Sequence, residues 1–217
     1  MSIETLTQEA KKHFPDLEIR YKDQSIFMKV LGTLMFFNKD FMTKYITTIG
    51  SKVYFPSEEH VATRPLSSSI TLLHELVHIY DSKKFTSLLF SFLYLVPQIL
   101  ILVALPLMFI SWKVALVLMV LFALPLPAYF RMYFERRAYI STLYVYKTIA
   151  DRTSKVFDYN KHKESAIAQF KTSAYYYMWM FKGIKNDFDK AIVDVKEGKK
   201  PYDDKILDIV ADLSRFI

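Results

Sequence analysis

Residues 85–130 read FTSLLFSFLYLVPQILILVALPLMFISWKVALVLMVLFALPLPAYF, 46 positions with a single charged side chain, Lys113. The whole chain has 217 residues, with 29 Lys and Arg against 22 Asp and Glu and a formal charge of +7, so nearly all of its charge lies outside this run. That split argues against a plain soluble globule and against a disordered chain. From Phe85 to Trp112 there is no charge for 28 residues. As one helix this stretch is about 42 Å long, ample for a bilayer core of about 30 Å. Ser111, Trp112 and Lys113 make a polar break, and Val114 to Phe130 adds 17 further uncharged residues. Pro97, Pro106, Pro125 and Pro127 bend such helices, which packed membrane neighbours tolerate better than water does. The pattern predicts a two-helix transmembrane hairpin; the alternative is a buried helical hairpin of a soluble core. Lys83 and Lys84 before the run, and Arg131, Arg136 and Arg137 after it, put the polar parts on the cytoplasmic side by the positive-inside rule. The expectation is an integral membrane protein with two spans and the bilayer as its first partner.

Working outward, the chain divides into 1–84, the apolar 85–130, and 131–217. Residues 2–12 read as a short helix, polar and mixed in charge, unlike a cleaved signal peptide. Ser25 to Phe37 is apolar but too short to span, and reads as a buried helix or strand or as an interfacial segment. Tyr45 to Ile49 and Lys52 to Phe55 flank Gly50-Ser51 as a β-hairpin, closed by Pro56. Ser67 to Ser69 offer N-cap oxygens to a helix from about Ile70. Beyond Phe130 helices are expected over 131–153, 163–182, 185–197 and 202–216, with the aromatic run Tyr175 to Phe181 as core or interface. The fold class is therefore mainly α with a small β-hairpin or sheet. There is no cysteine, which excludes disulfides, thiolate metal sites and a cysteine nucleophile. With four glycines no phosphate-cradling loop is present. The basic residues are interspersed with acidic ones, so nucleic acid is not an expected partner.

The chemistry concentrates at His74-Glu75-Leu76-Val77-His78. Residues four apart on a helix share a face, so both imidazoles can reach one Zn²⁺, and Glu75 beside them is placed to take a proton from water. A catalytic zinc site needs a third protein ligand. Glu135 is the sole acidic residue between Asp81 and Asp151. It lies on the helix leaving the apolar hairpin, which returns beside the helix that entered. Asp81, three residues after His78, is the rival, with helical geometry less suited to a third ligand.

This order of hairpin, HExxH helix, membrane pair and Glu helix resembles the membrane-embedded gluzincin peptidases of the HtpX and CAAX-prenyl-protease type, over about Tyr45 to Ser141. The resemblance implies a gluzincin-like zinc peptidase core interrupted by the hairpin, with one Zn²⁺ on His74, His78 and Glu135 and Glu75 as general base. Where the family carries an Asp four residues after the Glu, this chain has Tyr139. That residue is the candidate to bond a zinc histidine or to stabilise an oxyanion; Tyr133 and His60 are further oxyanion candidates. The family also implies an extended substrate paired to an edge strand, here Lys52 to Phe55. The activity expected is endopeptidase cleavage of membrane or membrane-proximal proteins. The alternative is a zinc-binding membrane interaction or regulatory protein without turnover, which the Tyr139 departure favours. His13 and His162 fall in no pattern and read as surface histidines.

Overall fold

The computed structural model describes residues 3–35, 38–124, 126–154, 156–171 and 183–217. It is mainly helical with a small three-stranded sheet. The elements before the apolar run are α1 (Ile3–Lys11), β1 (Glu18–Tyr21), α2 (Ile26–Leu34), β2 (Thr47–Ile49), β3 (Lys52–Phe55), α3 (Glu58–Thr63) and α4 (Pro65–Phe85). The expected hairpin is β2–β3, with Gly50 at φ 60° supplying the left-handed turn residue. The sheet order is β1-β3-β2, β1 running parallel to β3 and β2 antiparallel to it. β3 is thus central, with a strand on each side. This corrects the expectation that Lys52 to Phe55 is the substrate-pairing edge: its main-chain groups already belong to two ladders, and β2 is the open neighbour. Alternation explains the burial of β3. Val53 and Phe55 join the main core, while Tyr54 points to the other face against Met28 and Phe41. β1 and α3 go beyond the sequence reading: Glu18–Tyr21 alternates polar and apolar residues over only four positions, too short to mark a strand by itself, and becomes one by pairing with β3.

Ser25 caps α2, its hydroxyl accepting from the Met28 amide, which resolves that segment as a helix. Met28 is buried, whereas Ile26, Phe27 and Val30 face outward. α4 starts earlier than the serines suggest, since Pro65 occupies the first helical position, where its missing N–H costs nothing. Ser68 and Ser69 consequently lie buried within the helix. α4 packs against α8 (Tyr129–Thr153), and the two form the spine of the molecule. Leu72, Leu73, Leu76 and Val77 from α4 share one core with Leu6 of α1, Val53 and Phe55 of β3, Ala138 and Val145 of α8, and Val210 of the C-terminal helix. Residues 1–84 and 131–217 are therefore two halves of one packed body. Truncating the fully buried Leu76 to Ala would cost about 2–5 kcal/mol.

The apolar run departs from straight helices. α5 (Ser87–Leu95) ends at Pro97, where the amide ladder cannot continue. A 3₁₀ turn and α6 (Ile101–Leu107) then leave at 93° to α5. α7 (Trp112–Ala123) packs back on α6. With 12 residues it is about 18 Å long. Among the described residues no single helix is long and apolar enough to cross a membrane, although the bent pair Ser87–Leu95 with Gln98–Leu107 has the combined length and composition. Leu88, Phe109 and Ile110 are more than four-fifths exposed, so this segment is not the buried hairpin of a soluble core. The remaining helices are α9 (Tyr159–Lys171), α10 (Ile184–Lys196) and α11 (Lys205–Leu213). The aromatic run Tyr175 to Phe181 lies outside the described residues.

Candidate metal centre

α4 and α8 lie side by side, and their facing surfaces bring together the three residues singled out above. One nitrogen each from His74 and His78 and one oxygen of Glu135 all fall within 4.8 Å of one another, a group that could hold a metal ion. His74 Nε2 is 3.4 Å from Glu135 Oε2, and His78 Nε2 is 3.4 Å from Glu135 Oε1. Both approaches are close enough for ion pairing, without hydrogen-bond alignment. His78 and Glu135 are almost completely buried, yet both ring nitrogens of His78 and Oε2 of Glu135 have no hydrogen-bond partner. Buried polar atoms are nearly always satisfied, and leaving one bare costs about 1–3 kcal/mol. Among the described residues Ser68 Oγ is the one other such atom. An ion would take one of the two His78 nitrogens and an oxygen of Glu135, so the orphans other than Ser68 Oγ belong to residues of the metal group, and the donor set fits a divalent metal.

The electrostatics point the same way. Burial alone would lower the pKa of His78, but the Glu135 carboxylate outweighs it and raises the imidazole to about 9. Burial likewise raises Glu135, and the opposing charge of His78, with the hydrogen-bonding reach of both histidines, holds it well below the usual carboxylate range. The site is thus built to keep negative charge on Glu135. His74 has its tautomer set from behind. Thr142 donates its hydroxyl proton to the Ala138 carbonyl at 3.0 Å, so at 3.3 Å from His74 Nδ1 its oxygen can only accept. That arrangement favours a proton on Nδ1 and leaves Nε2, the nitrogen 3.4 Å from Glu135 Oε2, as the one a metal would take.

No protein family, characterised protein or solved structure matches this chain. The reading of the site therefore rests on its own geometry.

Glu75 does not belong to the metal group. Its Oε2 accepts a hydrogen bond from Thr48 of β2 at 2.7 Å, and it borders a cleft of about 260 Å³ together with His74, Tyr139, Tyr146 and His162. The cleft passes between the residues leading into β2 and α9, and none of its lining comes from α5–α7. Tyr139 is present where expected, its ring edge-on to His74 with centroids 4.8 Å apart. Tyr133 instead borders a separate cleft beside Arg136, and His60 sits on α3 away from the lining, so neither joins the site. Asp81 is excluded as a ligand because it is turned to Arg137, whose Nε lies 3.1 Å from it and whose Nη2 reaches Asp204 at 2.8 Å. His162 is no surface histidine. It lines the cleft, its Nε2 lies 3.3 Å from the Tyr139 carbonyl, and burial lowers its pKa to about 4, keeping it neutral.

Three contributors escaped the motif-based reading. Thr142 stands seven residues after Glu135, nearly the same face two turns on, which is a usable signal. Tyr94, whose hydroxyl bonds Glu135, was flagged only by being a polar group inside an apolar run. Thr48 carried no signal, since its contact with Glu75 spans 27 residues of sequence.

Proposed function

We propose that this chain is a zinc-dependent endopeptidase seated at a membrane by residues 85–130, with His74, His78 and Glu135 as ligands and Glu75 as general base. The observation that carries the reading is the convergence of one nitrogen from each histidine of the HExxH pair with an oxygen of the buried Glu135, within 4.8 Å of one another. Two imidazoles and a carboxylate without thiolate suit zinc. The two 3.4 Å approaches run to different oxygens of Glu135, and one ligand atom from each of the three residues falls within 4.8 Å of the others.

Zinc bound there supplies Lewis-acid chemistry, activating water and polarising a carbonyl. Glu75 receives the proton from the attacking water and returns it to the leaving amine, with Thr48 holding one carboxylate oxygen so that the other faces the cleft. Tyr139 borders the same cleft and is the candidate donor to an oxyanion. An extended substrate adds to β2, the strand with an open edge beside the cleft. Thr142 lies 3.3 Å from His74 Nδ1, a contact of the kind the resembled family makes with the Asp that Tyr139 replaces. Exposed Leu88, Phe109, Ile110 and Val117 give the lipid contact, and the 93° bend favours a segment that enters the bilayer folded back rather than as two straight spans.

The test is cleavage of an unstructured protein by wild type and by Glu75→Gln, purified in detergent with zinc. Activity in wild type and none in the variant, with metal retained in both, supports the reading. Metal retained and no cleavage by wild type refutes it.

A further inference from the structure

The apolar segment does more than adjoin the metal centre. Tyr94, in the last turn of α5, donates its hydroxyl to Glu135 Oε1. Its ring stands edge-on to His78 at a centroid distance of 6.0 Å. The main chain of the same residue is held from the other side, where Arg131 Nε donates to the Tyr94 carbonyl at 2.9 Å and the guanidinium lies 5.2 Å from the Tyr94 ring. Arg131, itself buried, also reaches Gln98 Oε1 at 3.2 Å, and Gln98 Nε2 donates to the Leu126 carbonyl at 3.4 Å. Tyr94, Gln98 and, through Gln98, Leu126 are thereby tied to Arg131 in the first turn of α8, one turn before Glu135.

Resting on the metal-centre reading above, we propose that Tyr94 is a positioning residue of that centre, making metal affinity depend on how α5 is seated. The division of labour at Glu135 carries this. Oε1 accepts from Tyr94 and lies 3.4 Å from His78 Nε2, whereas Oε2 has no hydrogen-bond partner and lies 3.4 Å from His74 Nε2. A carboxylate anchored through one oxygen presents the other in a fixed direction. A phenol hydroxyl in an apolar segment has few other partners, so the bond is kept. Hydrogen-bonding partners of ligating groups are worth about 10–100-fold in metal affinity. Linkage makes the effect reciprocal: metal on Glu135 stabilises the docked α5, and a docked α5 strengthens metal binding.

The experiment uses the full chain in detergent, with zinc affinity read by competition with a chromophoric chelator and ligand geometry by the visible absorption of the Co²⁺ form. Tyr94→Phe keeps the ring and removes the hydroxyl; Phe109→Leu, at an exposed position of the same segment, is the control. The proposal predicts zinc binding about 10–100-fold weaker in Tyr94→Phe, with a changed Co²⁺ spectrum, a metal-free melting transition retained, and wild-type affinity in Phe109→Leu. Wild-type affinity and spectrum in Tyr94→Phe overturn it. So does a lowered metal-free melting temperature with an unchanged Co²⁺ spectrum, which makes Tyr94 a packing residue only. Wild-type protein that takes up no metal defeats the metal-centre reading itself, and that result is read before any variant is compared.

Discussion

Glu135→Gln in chelator-stripped protein isolates the electrostatic design of the centre. Without metal, burial would lower the pKa of His78, but Glu135, with smaller contributions from Glu75 and Asp81, raises it from 6.5 to about 9. A shift of that size corresponds to about 3 kcal/mol at 1.4 kcal/mol per unit. Because the folded value is the higher one, this stability is fully present below pH 6.5 and is lost as pH rises through 9. Glu135 is shifted the other way, so its share is present above about pH 4.5 and lost only in stronger acid. The two describe one interaction and are counted once. The best window is therefore pH 4.5 to 6.5. Replacing Glu135 by Gln there leaves His78 only the charges of Glu75 and Asp81, and a loss of up to about 3 kcal/mol lowers the melting temperature by up to about 6–12 °C for a chain of this size. By pH 9.5 the gap should close to within a few degrees, since His78 is then largely neutral in wild type as well. Thermal melts in detergent and excess chelator at pH 6 and 9.5 measure both values. An equal gap at the two pH values, or no gap at pH 6, refutes the reasoning.

Thr142→Val removes the acceptor that sets the His74 tautomer, and chelator competition should show zinc binding weakened about tenfold or more. Thr48→Val frees Glu75, so kcat for peptide cleavage should fall about tenfold while zinc content and KM stay at wild-type values. Lys22 is fully buried, its Nζ donating to the Phe41 carbonyl at 2.7 Å; burial, partly offset by Glu75, lowers its pKa to about 7. A depressed lysine value destabilises the fold fully below pH 7 and not at all above about 10.5, so melts of Lys22→Met should show a stability gain of about 1–4 kcal/mol at pH 6 that disappears by pH 10.5. Trp112 is exposed at the tip of the apolar segment; in a Trp179→Phe background its fluorescence should be quenched by brominated lipids in vesicles and not by aqueous iodide, and the reverse result removes the membrane seat.

The legible parts of this protein are those in which local pattern and tertiary role agree. His74 and His78 share a face of one helix, and the hairpin turn at Gly50 is local chemistry, so both were readable. Glu135 was readable for a topological reason: a chain that leaves through the apolar run and returns must bring its next helix beside α4. Where the role is set by a distant partner, the pattern falls silent. Glu18–Tyr21 becomes a strand through β3, and that added strand is what turns β3 from an edge into a centre. Pro65 moved the start of α4 ahead of the serines that looked like caps. Pro97 broke the long apolar helix, so its length in residues overstated its straight reach. Tyr94, Thr142 and His162 are ordinary by composition, and each acts through residues between 23 and 68 positions away.

The most direct test of the central claim is the metal content of the purified full-length chain, with X-ray absorption at the metal edge to identify the ligands. The account predicts one zinc per chain bound by two imidazoles and oxygen ligands, and loss of that zinc in His78→Ala and in Glu135→Ala. Wild-type protein that stays metal-free after zinc exposure, or that keeps its full zinc in both variants, contradicts it.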